Sequence, residues 1–298
     1  MAQPVIVRIV RDDGEEFLID NEKWMIPNDG LENWANLPYS VSKQENASYD
    51  GGIITNQRVE TVDRTVKAEL FSPEGNPEAR AEAIRFFSPR HTYDVHLTYQ
   101  GRTRWCQGVQ YAFKCETGNI YQPVTISWTV LCPMPFLLSE SDFGQDVALV
   151  KPKFGFPYMS AVDRVGKESL LFHQKGFLSG AYNFERIVEI VNDGDVETYP
   201  TVRIKARGHV VNPQIEKDNI YVLVLVTMEA GDELVIDFAS RPPRVTLNGK
   251  NVINKVDRTS TFTEMKFNVG VNSFSYNADT GENVMSVSLF YRTRFLGI

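Results

Sequence analysis

Apolar and polar residues alternate with a period of two over much of this chain, the spacing at which a strand turns one face to a core and the other to water. Across residues 124–132, Val124, Ile126, Trp128, Val130 and Cys132 share one face, while Thr125, Ser127 and Thr129 share the other. Val202, Ile204 and Ala206 stand in the same way against Thr201, Arg203, Lys205 and Arg207. Residues 5–10, the turn Asp12-Asp13-Gly14 and residues 17–19 predict a hairpin. Gly51-Gly52 precedes a predicted run over 57–71, and strands follow at 93–99 and 104–116. Beyond Tyr182 the pattern predicts eight short strands, at 187–191, 201–207, 221–228, 233–238, 244–247, 261–268, 273–277 and 285–295. Turn residues separate them at Asp193-Gly194, Gly231-Asp232, Asn248-Gly249 and Gly270, with Asn-Gly the strongest hairpin signal. Such spacing predicts a β-sandwich.

One helix interrupts this pattern. Asn76 is placed to cap it, Pro77 suits the first helical position, and Ala79, Ala83, Ile84 and Phe87 recur at helical spacing before Pro89 ends it. Residues 133–177 lose the alternation altogether. They carry Pro133, Pro135, Pro152 and Pro157 among Phe136, Phe143, Phe154, Phe156, Tyr158, Phe172 and Phe177. So many aromatics argue for an ordered connector rather than a disordered linker. The expected organisation is therefore mainly β with one clear helix: a β domain over 1–140, an aromatic and proline-rich connector over 141–180, and a β-sandwich over 181–298.

Composition narrows the function classes. Thirty-one Lys and Arg against 38 Asp and Glu give a net charge of −7, which argues against nucleic-acid binding as the main function. Cys106, Cys115 and Cys132 form no CxxC and sit in apolar strands, so they are expected to be reduced and buried. The first residues, broken by Arg8 and Arg11, do not resemble a signal peptide, and no apolar run is long enough to cross a membrane. A soluble protein made inside a cell is expected, with the Asn46-Ala47-Ser48 sequon accidental.

No constellation for chemistry assembles. His91, His96, His173 and His209 are scattered, and His91 and His96, five apart on a strand, point to opposite faces. HExxH and GxSxG are absent, and Ala161 and Glu168 break a P-loop around Gly166-Lys167. Carboxylate pairs at Asp12/Asp13, Glu15/Glu16 and Asp193/Asp195 lie on turns, where solvation is the ordinary state. The acidic cluster Asn192, Asp193, Asp195 and Glu197 lacks calcium-loop spacing and is read as a corner, with Gly194 supplying a left-handed residue. Arg203, Lys205 and Arg207 form either a solvated strand face or a basic ridge that meets a partner's carboxylates. Trp24, Trp34, Trp105 and Trp128 raise the alternative of sugar stacking, although Trp128 lies on an apolar face. No catalytic residue, metal ligand or cofactor site is assigned, and an enzyme is not expected.

The order of several motifs adds a resemblance. Ile187, Ile190, Asn192, Gly194 and Asp195, followed by Thr198-Tyr199-Pro200, Val202, Ile204 and Gly208, resemble the second-domain signature of the distal tail protein family of long-tailed bacteriophages. So do Glu229, Gly231-Asp232, Leu234 and Ile236-Asp237, the hairpin around Asn248-Gly249, and Phe267, Val269, Val271-Asn272, Phe274 and Tyr276. The ending Tyr291-Arg292, Arg294-Phe295-Leu296-Gly297-Ile298 is similar to the family's terminus. In the first half, Asp50-Gly51-Gly52, Arg64, the helix and the stretch from Trp128 to Phe136 are similar to its ring-forming domain. Cys132-Pro133-Met134-Pro135-Phe136 departs from the acidic residue that the family has before its proline and aromatic pair.

The resemblance implies a structural adaptor: a hexameric ring joining the tail tube to the tail tip or baseplate, with a galectin-like sandwich carrying receptor-binding or fibre proteins. Its implied partners are copies of itself, the tube protein, a tail-tip hub protein and those fibres, in a virion tail assembled in the bacterial cytoplasm. The alternative is a module that binds cell-wall polysaccharide. Candidate interface residues are Phe136, Phe143, Phe154, Phe156, Tyr158 and Phe172 of the connector, with Arg203, Lys205 and Arg207 of the basic stripe.

Overall fold

The computed structural model describes residues 5–45, 50–70, 76–116, 123–140, 143–146, 154–156, 177–179 and 187–298. It is mainly β, as the alternation predicts, and its sheets are antiparallel. The chain divides into two compact units. The first comprises Met1–Ser141 with Gly194–Val196 and Thr293–Ile298, and the second Asp142–Asp193 with Glu197–Arg292.

The first unit opens with β1 (Ile6–Arg11), β2 (Glu16–Ile19), β3 (Leu31–Glu32), β4 (Tyr39–Glu45), β5 (Gly52–Val59) and β6 (Val62–Leu70). The helix α1 (Asn76–Phe86) is followed by β7 (Thr92–Tyr99), β8 (Arg102–Glu116), β9 (Val124–Cys132) and β10 (Leu137–Ser139). The main sheet runs β2-β1-β7-β8-β9-β6-β3, with β10 against the start of β8. β6 and β9 pair over nine residues, from Val62 opposite Cys132 to Leu70 opposite Val124, and every second side chain of both is buried. That register is specified because a slip of one residue would turn the apolar set to water.

The buried face of this sheet is covered by Ala79, Ala83 and Phe86 of α1 and by Phe87 just beyond it. Phe87 lies 5.1 Å from the Trp128 ring and 5.0 Å from Phe113, while Tyr93 meets Trp128 edge-on at 5.2 Å. Arg11 ties the helix down by donating from Nη1 to the carbonyls of Phe86 at 3.1 Å and Arg85 at 3.3 Å, acceptors that a helix terminus otherwise leaves open. Ile84, expected on the buried face, is 42% exposed. Phe86 takes that place, because the covered stripe follows i, i+4, i+7 from Ala79 rather than including i+5.

The predicted run over 57–71 breaks at Glu60 and Thr61. Before the break, β5 pairs with β4 in a two-stranded sheet of its own.

The second unit contains β11 (Phe143–Asp146), β12 (Phe154–Phe156), β13 (Phe177–Ser179), β14 (Ile187–Asn192), β15 (Thr201–Ala206), β16 (Val210–Lys217), β17 (Ile220–Leu223) and β18 (Thr227–Met228). It continues with β19 (Glu233–Asp237), β20 (Arg244–Leu247), β21 (Lys250–Asn251), β22 (Gly270–Thr280) and β23 (Met285–Tyr291). One sheet runs β11-β23-β15-β19-β20-β21 and another β14-β22-β16-β17, with β18 beside β16. Val202, Ile204, Leu234, Ile236, Val287 and Leu289 of the first share a core with Ile190, Ile215, Val222, Phe274 and Tyr276 of the second, which makes this unit a sandwich. Asn248 (φ 50°) and Gly249 (φ 77°) form the predicted turn between β20 and β21.

Two departures from the predicted strands have local causes. β16, unpredicted because Pro213 and Asn212 interrupt its alternation, lies between β22 and β17; the Pro213 carbonyl still accepts from Val224 N at 3.0 Å. Residues 261–268 are not a strand: Phe262–Glu264 form a short 3-10 turn whose Phe262 ring packs 4.9 Å from Phe238. Only Phe267 keeps ladder geometry there, exchanging both backbone hydrogen bonds with Thr198.

The chain's end belongs to the first unit. β24 (Arg294–Phe295) pairs with β10, so the predicted strand over 285–295 breaks at Arg292 and Thr293. Asp195 N donates to the Arg294 carbonyl at 2.9 Å, and the Asp195 carboxylate accepts from Leu296 N at 2.9 Å. The Arg104 guanidinium lies 3.5 Å over the Phe295 ring.

Two glycines of the second unit separate backbone strain from crowding. Gly281 (φ 85°) holds the turn between β22 and β23, and a Cβ there would stand 2.1 Å from the His209 carbonyl oxygen. Gly249 is left-handed too, but a Cβ would meet nothing within 4 Å. Gly249→Ala is expected to cost about 1 kcal/mol and Gly281→Ala about 3 kcal/mol or more, measured by denaturant unfolding; equal losses would mean that the close approach to His209 is absent.

Candidate interaction surfaces

The hairpin β4–β5 departs from the rule that organises the rest of the molecule. Its strands pair from Tyr39 opposite Val59 to Glu45 opposite Gly52, with a register shift at Ser42/Lys43, and its described residues are almost all exposed. Tyr39 is 57% exposed, Val41 51%, Ile53 61% and Ile54 66%. Pairing places Tyr39, Val41, Lys43, Ile54, Gln57 and Val59 on one face, and Ile53 on the other with Ser40, Ser42, Gln44, Asn56 and Arg58. A two-stranded sheet is marginal on its own in water, and apolar side chains on both of its faces are suited to a partner's surface. Tyr111, 68% exposed at the irregular register of β8, and Val109, 48% exposed, form a second apolar spot on the first unit.

The basic stripe is where the alternation places it. Arg203 and Lys205 leave the outer face of β15, 44% and 61% exposed, and Arg207 follows them into solvent. Arg203 Nε reaches Glu233 Oε1 at 3.2 Å, Lys205 Nζ the same oxygen at 3.5 Å, and the Arg203 guanidinium lies 5.3 Å over Phe290. Two cations on one carboxylate leave a net positive ridge, and exposed pairs of this kind contribute little to folding. Among the aromatic candidates, Phe136 is half-buried. Phe143, Phe154 and Phe156 lie on strands whose side chains are outside the described residues, as are Tyr158 and Phe172 altogether.

The acidic clusters have protein partners. Asn192 is buried and donates from Nδ2 to the Phe267 carbonyl at 3.2 Å, Glu197 pairs with Lys266 at 3.3 Å, and Asp195 holds the Leu296 amide. Gly194, expected to supply the left-handed residue, is buried, and the left-handed glycines of the C-terminal half are Gly231, Gly249, Gly270 and Gly281. Among the described residues, no three His, Cys, Asp or Glu side chains gather to hold a metal ion. Asp13 binds Arg11, whose hydrogen bond holds its carboxyl at about 2. Asp12 accepts from His91 Nδ1 at 2.6 Å and from Thr92 N, and both bonds lower it.

The histidines do not converge. His209 pairs with Glu229 at 2.8 Å, and His96 stacks on Trp105 with ring centroids 5.9 Å apart. Burial, with Arg8 nearby, lowers the His96 imidazole below its ordinary range, against the pull of Glu140 at 3.8 Å. His173 lies outside the described residues. Trp24, Trp34 and Trp128 are core residues, and Trp105 donates from Nε1 to the Ser139 carbonyl at 2.8 Å. That leaves no exposed tryptophan platform among them.

Residues 193–295 match the family model of the siphovirus-type tail component, C-terminal domain. That match places the C-terminal region of the chain with siphovirus-type tail components. The matched model describes a component of the phage tail, and no helix among the described residues of this chain is long and apolar enough to cross a membrane. No protein of curated function matches the sequence of this chain. Its fold is similar to the crystal structure of SPP1 Dit (gp 19.1), described as a paradigm of the hub adsorption apparatus in phages infecting Gram-positive bacteria. The two share 12% identity over 97% of this chain and 99% of that one, with a TM-score of 0.64. Two structures of the phage p2 baseplate in its activated conformation, with Ca and with Sr, match at 10% identity over 99% of this chain and 100% of theirs, with TM-scores of 0.49 and 0.50.

The pH dependence of the first unit follows from these groups. Asp12 and Asp13 stabilise it above their ordinary value of 3.8, and that contribution is lost as pH falls through their lowered folded values. His96, also lowered, adds stability that is complete above 6.5 and declines as pH falls through its own folded value. Thermal unfolding between pH 7 and 5 is expected to show this second decline in the native sequence and not in His96→Gln. An unchanged profile in that variant would assign the decline to other groups.

Proposed function

We propose that this chain forms a ring of six copies at the distal end of the tail, joining the tube to the tail tip, with the first unit building the ring and the second carrying receptor-binding or fibre proteins. The observation that carries the proposal is the β4–β5 hairpin. Its four large apolar side chains are more than half exposed in the single chain and stand on a sheet that has no third strand among the described residues. A hairpin that docks on a different surface of the next copy makes a heterologous contact, and heterologous contacts related by a closing rotation generate a ring. The hub role described for SPP1 Dit supports the same reading.

Partner binding is assigned to two further surfaces. The ridge of Arg203, Lys205 and Arg207 suits a partner rich in carboxylates, where it would steer association and set specificity more than affinity. The aromatic segment containing Phe136, Phe143, Phe154, Phe156, Tyr158 and Phe172 is the proposed apolar contact.

Mass measurement in solution tests the ring. At 33.8 kDa per chain, six copies give a particle of about 200 kDa. The double variant Ile53→Asp, Ile54→Asp is expected to run as a single chain while keeping its unfolding transition within about 0.5 kcal/mol, since both side chains are exposed. A ring that persists in the double variant would remove the hairpin from the interface. A native chain that stays single at high concentration, with tube protein present, would remove the ring.

A further inference from the structure

Asn248-Gly249 is the one Asn-Gly pair of the sequence, and both residues stand exposed on the turn between β20 and β21. Such a pair carries a reaction of its own. With no side chain on Gly249 to bar the approach, its backbone nitrogen can attack Asn248 Cγ. The Cγ–Nδ2 bond then breaks, ammonia leaves, and water opens the resulting succinimide to aspartate or isoaspartate.

The Asn248 side chain is not free to swing toward Gly249, because it reaches across to the turn between β18 and β19. Its Nδ2 donates to Asp232 Oδ1 at 2.7 Å, and its Oδ1 accepts from Glu233 N at 2.9 Å. The main chain adds a third tie, from Asn248 N to the Glu233 carbonyl at 2.8 Å. Asp232 is itself fixed. Its Oδ2 accepts from Glu229 N at 2.8 Å, its N donates to the Glu229 carbonyl at 3.0 Å, and its carbonyl accepts from Ala206 N at 2.9 Å. The Glu229 amide and the Asn248 side chain also hold the Asp232 carboxyl below its ordinary range, so an ionised oxygen, the stronger acceptor, faces Asn248 at neutral pH.

We propose that Asn248 is a latent deamidation site, whose amide the clasp of Asp232 and Glu233 holds out of line with the Gly249 nitrogen until the two turns part. The product undoes the clasp. An acid at 248 loses the donor to Asp232 and sets two carboxylates against each other, and isoaspartate adds a backbone methylene to a turn that closes the β19–β20–β21 ladder. Conversion also adds a negative charge next to Glu233, the carboxylate that Arg203 and Lys205 share, so an aged chain presents a weaker positive ridge.

Incubation of the full native chain at mildly alkaline pH, with residue 248 followed by peptide mass spectrometry and isoaspartate counted by enzymatic methylation, tests this. The chain unfolded in denaturant should convert at the rate of a free Asn-Gly peptide, and the folded chain more slowly. Asp232→Ala should speed the folded chain about tenfold, the worth of one hydrogen bond to a charged acceptor. Asp232→Asn keeps an acceptor oxygen and should stay slow. Should Asp232→Ala fail to fold, the native, unfolded and Asp232→Asn rates still decide. Asn248→Asp, which carries the product's charge, should unfold at lower denaturant than the native chain, and adding Asp232→Asn to it should restore the loss. A folded chain that converts faster than the unfolded one would mean that the Glu233 amide polarises the Asn248 carbonyl toward attack, and would overturn the clasp. Equal rates in the native chain and in a folded Asp232→Ala would overturn it as well.

Discussion

The molecule depends on one constraint: a strand with a period of two must find cover for its apolar face. In the first unit β6 and β9 meet it together, nine residues against nine, beneath Phe86 and Phe87. In the second, two sheets meet it against each other around Val202, Ile204, Phe274 and Leu289. Large apolar burial of this kind is the main favourable term in folding, and it fixes register because a one-residue slip would expose every second side chain. β4 and β5 fail the constraint within a single chain. Their apolar side chains are uncovered in the single chain, and the proposed ring supplies a setting for their cover.

The same logic accounts for what polar groups do. Arg11 satisfies the open carbonyls at the end of α1, and Asp195 holds the last strand in place through the Leu296 amide. Both are structural uses of charge. The acidic cluster around Gly194, whose oxygens suggest a cation site in the bare sequence, is spent on backbone and lysine partners. Arg64 is the exception, a buried cation that no carboxylate pairs with among the described residues and that donates to the Pro135 carbonyl. Charge inside this protein is held by specific neighbours, and the positive ridge on β15 remains outside, where water and a partner share it.

Much of the fold is legible in the sequence wherever one face is buried and turn chemistry is plain. β9 is found residue for residue over 124–132, β20 over 244–247, and Asn248-Gly249 makes its turn because both residues tolerate positive φ. β16 is lost because Pro213 and Asn212 break its alternation, yet the sheet keeps the strand by pairing around them. Residues 261–268 read as a strand because Phe262 and Phe267 are apolar, although packing of Phe262 on Phe238 curls the backbone there. The order of the family motifs after Tyr182 identifies the second unit. What the sequence does not disclose is exposure: Tyr39, Val41, Ile53 and Ile54 look like any half-buried strand residues, and only the three-dimensional pairing shows them uncovered. The return of Thr293–Ile298 to the first unit is hidden for a related reason, since alternation says which residues pair but not with which sheet.

The central claim is that the β4–β5 hairpin is an arm buried by another copy in the assembled tail. Amide hydrogen exchange measured in intact particles and in the dissociated chain tests it most directly. Residues 39–45 and 52–59 should exchange quickly in the single chain and become protected in the particle, while the core strands β6 and β9 stay protected in both. Exchange at those hairpin amides that is equally fast in the particle would contradict it.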